Sequence, residues 1–171
     1  RSRNPIPYIE HLKSIMTKIY NSFGKKNPQF YSYVFDGEII YPGKSRNAMR
    51  SSISTVLKKK EDNAELTYYV FDLIMTNKPN EPHSKRLEIL KKIFEKVNSK
   101  YVKLIPILGE AKLDDPKVDE FMAMALDRKA EGIVGRDPDM VYPTAGHRLN
   151  TMVKKKNQET YEAEIYDCYC G

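Results

Sequence analysis

The 171-residue chain has no tryptophan and only two cysteines, Cys168 and Cys170, near its C-terminal end. Two cysteines are too few for a structural zinc site, which usually needs four ligands that are mostly cysteine or histidine. A single residue separates them, so a disulfide between them would be difficult to form. We therefore expect two reduced thiols in an intracellular protein.

The sequence also has no apolar run long enough to span a bilayer, and we find no signal peptide. Its mean hydropathy is −0.62, and 30% of its residues are charged. These values predict a soluble protein with no membrane partner. The length predicts one domain, with room for a fragment of a second.

Positive charge is in excess: 29 lysines and arginines against 23 acids give a formal charge of +6. The corresponding pI is about 9.1. A basic protein suits a polyanionic partner such as nucleic acid. A basic soluble protein with no such partner would have the same charge, so this observation alone leaves both classes open.

Hydrophobic periodicity predicts an α+β fold with a largely antiparallel sheet, because helices and strands mingle without strict βαβ alternation. The predicted helices lie within Ile9–Ile19, Met49–Leu57, Leu87–Val97 and Val118–Leu126. The predicted strands are Phe30–Tyr41, Leu66–Met75, Val102–Leu108, Glu131–Arg136, Leu149–Lys156 and Glu162–Tyr169.

The densest apolar and aromatic stretch, Phe30–Tyr41, contains two carboxylates. In a strand, Asp36 and Glu38 would share one face, while Phe35 would lie on the other. A core strand has no packing use for two acids, because burying an unpaired charge is costly. Taken alone, the stretch slightly favours a β-hairpin that turns at Asp36-Gly37.

Three further signals are individually weak. Glu131 opens an apolar strand with nearby glycines, and it could bind a metal or a ribose or stand in an ordinary turn. Phe71 lies in an aromatic strand and could stack on a base or fill the core. Lys154 and Lys156 would face one way and Lys155 the other. The first two could bind a phosphate between them, or the triplet could be a charge run exposed to solvent.

In their order along the chain, five stretches resemble motifs Ia, III, IIIa, IV and V of the adenylation domain of ATP-dependent DNA ligases. The resemblance covers nearly the whole chain and is closest to the small viral and phage-type enzymes. The stretches are Ser2-Arg3, Phe35-Asp36-Gly37-Glu38, Tyr69-Val70-Phe71-Asp72, Glu131-Gly132-Ile133-Val134 and Lys154-Lys155-Lys156.

The resemblance implies a role for each motif residue. Glu38 and Glu131 would hold Mg²⁺, with Glu38 also near the ribose, and Phe71 would stack on the adenine of ATP. Lys154 and Lys156 would be catalytic and would hold the α-phosphate. Two arginines would contact nucleic acid: Arg3, which would also contact the nucleotide, and Arg148.

The sequence departs from the family at the nucleophile, which is a lysine two residues before an Asp-Gly. The one Asp-Gly here is Asp36-Gly37, and Val34 stands two residues before it. We therefore expect that this chain alone does not become adenylylated. The resemblance also divides the chain into a partial adenylation domain, 1–157, and a linker with the start of an OB-fold, 158–171.

The function implied is that of part of a ligase that seals nicked duplex DNA with ATP and Mg²⁺, as a monomer. An RNA ligase or a capping-type nucleotidyltransferase is the alternative within the superfamily. A non-catalytic, basic nucleic-acid-binding module is the alternative from another class. The expected location is the nucleus, the cytoplasm or, for a viral protein, the viral factory.

Overall fold

The computed structural model describes residues 9–40, 66–143 and 151–157. The chain divides into two compact units, one formed by residues 1–106 and 137–148 and the other by residues 107–136 and 149–171. Both units mix helices with strands, in agreement with the predicted α+β class. No helix in the described part of the chain is long and apolar enough to cross a membrane.

The first unit contains a three-stranded sheet in the order β1-β2-β3. Strand β1 pairs with β2 in antiparallel fashion, and β2 pairs with β3 in parallel fashion. The sheet is therefore only partly antiparallel, because β3 follows a helical crossover. The elements are α1 (Glu10–Gly24), a 3₁₀ helix (Pro28–Ser32), β1 (Tyr33–Ile40), β2 (Thr67–Met75), α2 (His83–Phe94) and β3 (Val102–Leu104).

The hairpin interpretation of Asp36-Gly37 is wrong, because β1 runs through both residues as one continuous strand. Gly37 serves a close approach rather than a turn. A Cβ at Gly37 would lie 2.3 Å from the backbone oxygen of Tyr69 on the neighbouring strand. The pairing of β1 with β2 along its whole length therefore decides the conformation here, instead of the local preference of Asp-Gly for a turn.

The core of this unit lies between the sheet and the two helices. Alternation along β1 buries Tyr33 and Phe35 and leaves Val34 exposed, as predicted for a half-buried strand. The helices contribute the apolar residues of one face each. The core residues from the helices and β2 are Leu12, Ile19, Leu90, Ile93, Val70, Leu73 and Met75.

The second unit consists of one helix and a strand pair in its described part. Helix α3 spans Lys117–Asp127, and strands β4 (Gly132–Arg136) and β5 (Met152–Lys156) pair in antiparallel fashion. The Asp115 carboxylate accepts a hydrogen bond from the Lys117 N–H at 2.9 Å, just before the helix.

Two predicted boundaries need correction. The first strand begins at Tyr33 instead of Phe30, because Pro28–Ser32 form a 3₁₀ helix. The third strand ends at Leu104 instead of Leu108, because Pro106 has no N–H to continue the ladder. Strand β3 is at the edge of the sheet, where a nearby proline is tolerated. The helix predicted within 49–57, the strand predicted at 162–169, both cysteines and the proposed domain boundary after residue 157 lie outside the described residues.

Candidate functional site

A β-bulge lies where the two acidic strands meet. Asp36 pairs with Asp72, but Gly37 pairs with Val70, so Phe71 is an extra residue on β2. Val70 and Leu73 are both fully buried in the core, although they are three residues apart. Strict strand alternation would place them on opposite faces, and the extra residue allows both to face the core. Bulges redirect side chains and are frequent beside active sites. Phe71 is half-buried and lies outside the core cluster of the described residues.

Glu38 is exposed and pairs across the sheet with Tyr69. The next residue, Ile39, packs against the core, so Glu38 points away from it. The sheet register therefore brings the two predicted nucleotide contacts of this unit, Glu38 and Phe71, to nearby positions on neighbouring strands.

Asp72 forms a buried ion pair with Arg86 of α2, and each side chain is 1% exposed. The guanidinium donates from Nε to Oδ1 at 2.8 Å and from Nη2 to Oδ2 at 3.1 Å. Its Nη1 donates to the carbonyl oxygens of Glu81 and Met140, at 2.6 and 3.0 Å. A bidentate pair whose remaining donors are also satisfied is the arrangement in which a buried ion pair is tolerated.

The same pair strongly affects the ionisation of Asp72. Burial by itself would raise the pKa of this carboxyl. Hydrogen bonds from Arg86 and from the Leu73 N–H, the neighbouring His83 ring and the positive charge of Arg86 outweigh burial and hold the pKa well below its ordinary value. Asp72 is therefore a carboxylate at every physiological pH.

The carboxylate of Asp36 has a different donor. The Tyr142 hydroxyl donates to Asp36 Oδ2 at 2.6 Å, and the Tyr142 ring centre lies 5.7 Å from Arg86 Cζ. Nearby, Tyr68 donates its hydroxyl to the Phe35 carbonyl oxygen at 2.9 Å. Burial, reinforced by the negative charge of Asp36, raises the pKa of Tyr68 to about 12, so this phenol also stays protonated as a donor.

Arg86 and Tyr142 are polar residues that the sequence reasoning missed. For Arg86 a signal was present: it precedes Leu90 by four residues and Ile93 by seven, so it falls on the apolar face of the helix. A cation on an apolar face indicates a buried partner, and Asp72 was the acid within the neighbouring predicted strand. For Tyr142 no local pattern gave such a signal.

The second unit presents the lysine triplet on β5. Lys154 pairs with Val134 and Lys156 with Gly132, so both lysines share one face of the strand pair. Lys155 faces the other way, as strand alternation predicts, and its ammonium group forms an ion pair with Asp119 of α3. The triplet therefore contains one lysine with a structural partner and two exposed lysines on the opposite face.

Glu131 is exposed and immediately precedes β4. Its carbonyl oxygen accepts a hydrogen bond from the Asn157 N–H at 3.0 Å, which joins the start of β4 to the end of β5. Gly132 has a φ of 153°, and a Cβ there would lie 2.1 Å from the Lys155 carbonyl oxygen. Gly132 therefore allows the backbone of β5 to approach closely. This contact fixes the register of β5, which carries the lysines, against β4, which follows Glu131.

Of the predicted site residues, Glu38 and Phe71 belong to the first unit, while Glu131, Lys154 and Lys156 belong to the second. The two predicted nucleic-acid contacts, Arg3 and Arg148, lie outside the described residues. Within the described ranges, no three His, Cys, Asp or Glu side chains come together as a metal cluster.

Each unit combines helices with strands that carry exposed charged side chains, which describes a broad class of α+β proteins. Comparison with protein families identifies the class more narrowly: residues 1–156 match the model of the ATP dependent DNA ligase domain. Because the match covers most of the chain and both units, the chain belongs to the ATP-dependent DNA ligase domain family. A comparison with curated proteins found no match.

Proposed function

We propose that this chain is part of an enzyme that joins nicks in duplex DNA with ATP and Mg²⁺, through enzyme-AMP and AMP-DNA intermediates. The family assignment supports the class of reaction. The observation that carries the proposal at the level of residues is the lysine triplet, in which Lys155 is paired with Asp119 while Lys154 and Lys156 lie together on the other face.

Two ammonium groups on one strand face repel each other unless an anion lies between them. A phosphate satisfies both, and lysine suits this purpose as a compact, strongly hydrated charge. In nucleotidyl transfer, negative charge builds on the α-phosphate while the bond to pyrophosphate breaks. Lys154 and Lys156 would neutralise that charge, which is the form of stabilisation on which phosphoryl transfer mainly depends.

The first unit would supply the nucleoside contacts. Phe71, placed at the bulge and outside the core cluster, would stack on adenine, a contact worth about 1–3 kcal/mol in nucleic-acid binders. Asp72 is fixed by Arg86 directly beside it, so the backbone on one side of Phe71 is held in place. Glu38 would lie near the ribose.

Glu38 and Glu131 are exposed carboxylates, and Mg²⁺ prefers such oxygen ligands. Magnesium is usually held by one or two carboxylates together with substrate phosphates and water, so a dedicated cluster of three protein ligands is not required. Each of the two glutamates, taken by itself, fits this mode of binding. When bound, the ion would supply further neutralisation of the phosphate charge.

The covalent step needs a nucleophile that this sequence does not provide in the family's pattern. In that step a lysine nitrogen attacks the α-phosphorus of ATP, the new P–N bond forms, and pyrophosphate leaves with the electrons of the broken P–O bond. The later steps transfer AMP to the DNA 5′-phosphate and release it when the 3′-hydroxyl attacks. The test therefore uses a form extended to include a Lys-x-Asp-Gly segment.

In that extended form, Lys154→Ala should lower the rate of nick joining by about 10²–10³-fold, the usual effect of removing one electrostatic partner of a transition state. Lys155→Ala is the matched control, since it removes the same charge from the neighbouring position and breaks only the exposed pair with Asp119. Circular dichroism would establish that both variants fold.

Equal activities of the two variants would show that the triplet is only a solvated charge run, and the proposal would be withdrawn. Joining of single-stranded RNA in preference to nicked DNA would instead assign the chain to the RNA ligases. Failure to bind ATP at all, with retained binding of nucleic acid, would indicate a non-catalytic module.

A further inference from the structure

The first unit carries five lysines around the C-terminal ends of α1 and α2. We refer to these side chains as the lysine surface, and they are Lys25, Lys26, Lys91, Lys92 and Lys96. The segments that contain them, 25–26 and 91–96, hold one acid, Glu95, so they carry a formal charge of +4.

Contacts between the elements bring the C-terminal ends of α1 and α2 together. The Lys96 ammonium nitrogen lies 6.0 Å from the centre of the Phe23 ring, and the Phe23 carbonyl oxygen accepts a hydrogen bond from the Lys26 N–H. The end of α1 is therefore adjacent to the residues that follow α2.

Ion pairs among the described residues do not account for this charge. Elsewhere in the chain, Lys85 pairs with Glu88 and Lys155 with Asp119. Within residues 9–40, 66–143 and 151–157, no carboxylate lies at ion-pair distance from any member of the lysine surface. The two helix C-termini offset about one unit of positive charge, since each carries roughly half a negative charge. A substantial positive field remains.

The lysine surface is separate from the proposed nucleotide contacts of the same unit. Phe35 packs in the core with Ile19 of α1 and Leu90 of α2, so both helices cover the sheet face that bears Phe35. Glu38 lies on the opposite face, three residues along β1. The charge of the lysine surface is therefore not needed for the proposed contacts with ATP.

We propose that the lysine surface is a second contact for the phosphate backbone of duplex DNA, outside the reactive site. This inference rests on the proposed function for its choice of DNA as the partner. Lysines bind phosphates as point charges without reading sequence, and each phosphate that they neutralise releases condensed counterions. Such a surface retains an enzyme on DNA between encounters with nicks.

The test measures binding of this chain to a fluorescently labelled nicked duplex by anisotropy, between about 50 and 200 mM salt. Lys91→Gln, Lys92→Gln and Lys96→Gln are combined in one variant. A control variant combines Lys13→Gln, Lys18→Gln and Lys78→Gln, which removes the same charge from exposed positions outside the lysine surface. Thermal unfolding of both variants checks that they fold as the parent does.

We expect the slope of log K against log salt to become shallower by about 2–3 in the first variant, at about 0.9 for each lost phosphate contact. The control should change the slope by less than about one such contact. Equal slope changes in the two variants, or no DNA binding by the parent chain, would overturn the proposal.

A parallel measurement of ATP binding separates this inference from the proposed function. A shallower salt slope in the lysine variant, together with no ATP binding by the form extended with the nucleophilic segment, would support the lysine surface and refute the ligase activity. Normal ATP binding with an unchanged slope would support the ligase activity and refute the lysine surface.

Discussion

Asp36 and Asp72 are direct partners across β1 and β2, and each carboxylate is bound by a different donor. Like charges placed directly opposite each other destabilise a sheet. Arg86 neutralises Asp72 through a bidentate pair, while Tyr142 donates to Asp36 at 2.6 Å. Both acids are therefore engaged in holding the strands, and Glu38, two residues further along β1, is the exposed acid of this strand.

Replacing Arg86 with methionine should destabilise the first unit severely. The substitution leaves the Asp72 carboxylate 1% exposed without its charge partner. Breaking a buried ion pair from one side costs about 3–5 kcal/mol. Urea unfolding followed by circular dichroism would measure the loss.

The double variant Asp72→Leu with Arg86→Met is the control for this prediction, because it removes both charges. It should recover most of the stability, since a buried pair replaced by apolar residues is often neutral or better. If Arg86→Met alone costs less than about 1 kcal/mol, the ion pair does not hold the strand and helix together.

Acid should weaken the fold through the same residue. The pKa of Asp72 is lower in the folded chain than its ordinary value of 3.8, so its stabilising contribution is complete above that pH. The contribution is lost as pH falls from there through the folded-state pKa. Asp72→Asn should therefore be less stable than the parent at neutral pH, and the difference in melting temperature should narrow in acid. A constant difference at all pH values would contradict this assignment.

Much of the fold could be predicted from local sequence patterns, because helix and strand periodicity depends on residues that are close in the sequence. The opposite orientations of Lys154 and Lys155 follow from strand alternation alone, and the pairing of β4 with β5 is consistent with it. The hairpin prediction at Asp36-Gly37 failed because pairing with a distant strand decided the conformation. The partnership of Asp36 with Tyr142 could not be predicted, since 106 residues separate them and no period connects them.

The second glycine that permits a close approach, Gly132, should not tolerate alanine. Its φ of 153° is unfavourable for a residue with a side chain, and the added Cβ would meet the Lys155 carbonyl oxygen at 2.1 Å. Gly132→Ala should destabilise by at least about 1–3 kcal/mol, the usual cost of overpacking, and shift β5 relative to β4. Thermal unfolding would measure the stability.

Gly135→Ala provides a control within the same strand. The nearest atom to a Cβ at Gly135 is the Val153 carbonyl oxygen at 4.0 Å, so alanine has room there. This variant should melt within a few degrees of the parent. Similar melting temperatures for the two alanine variants would mean that the close approach at Gly132 does not determine the strand register.

The final prediction concerns Phe71, which should contribute more to nucleotide binding than to folding. It is half-buried at the bulge and lies outside the core cluster, unlike Phe35 on the neighbouring strand. In the form extended with the nucleophilic segment, Phe71→Ala should weaken ATP binding by about 1–3 kcal/mol, as measured by calorimetry. Phe35→Ala should instead lose about 3–5 kcal/mol of folding stability.

Two further variants separate stacking from simple apolar contact. Phe71→Tyr keeps the aromatic face and should retain most of the ATP affinity, whereas Phe71→Leu keeps apolar area without a π-system and should not. If Phe71→Ala lowers the melting temperature as strongly as Phe35→Ala and the remaining folded protein binds ATP normally, Phe71 is a packing residue. The adenine contact would then have to come from another aromatic side chain, and Tyr69, the cross-strand partner of Glu38, would be the first to test.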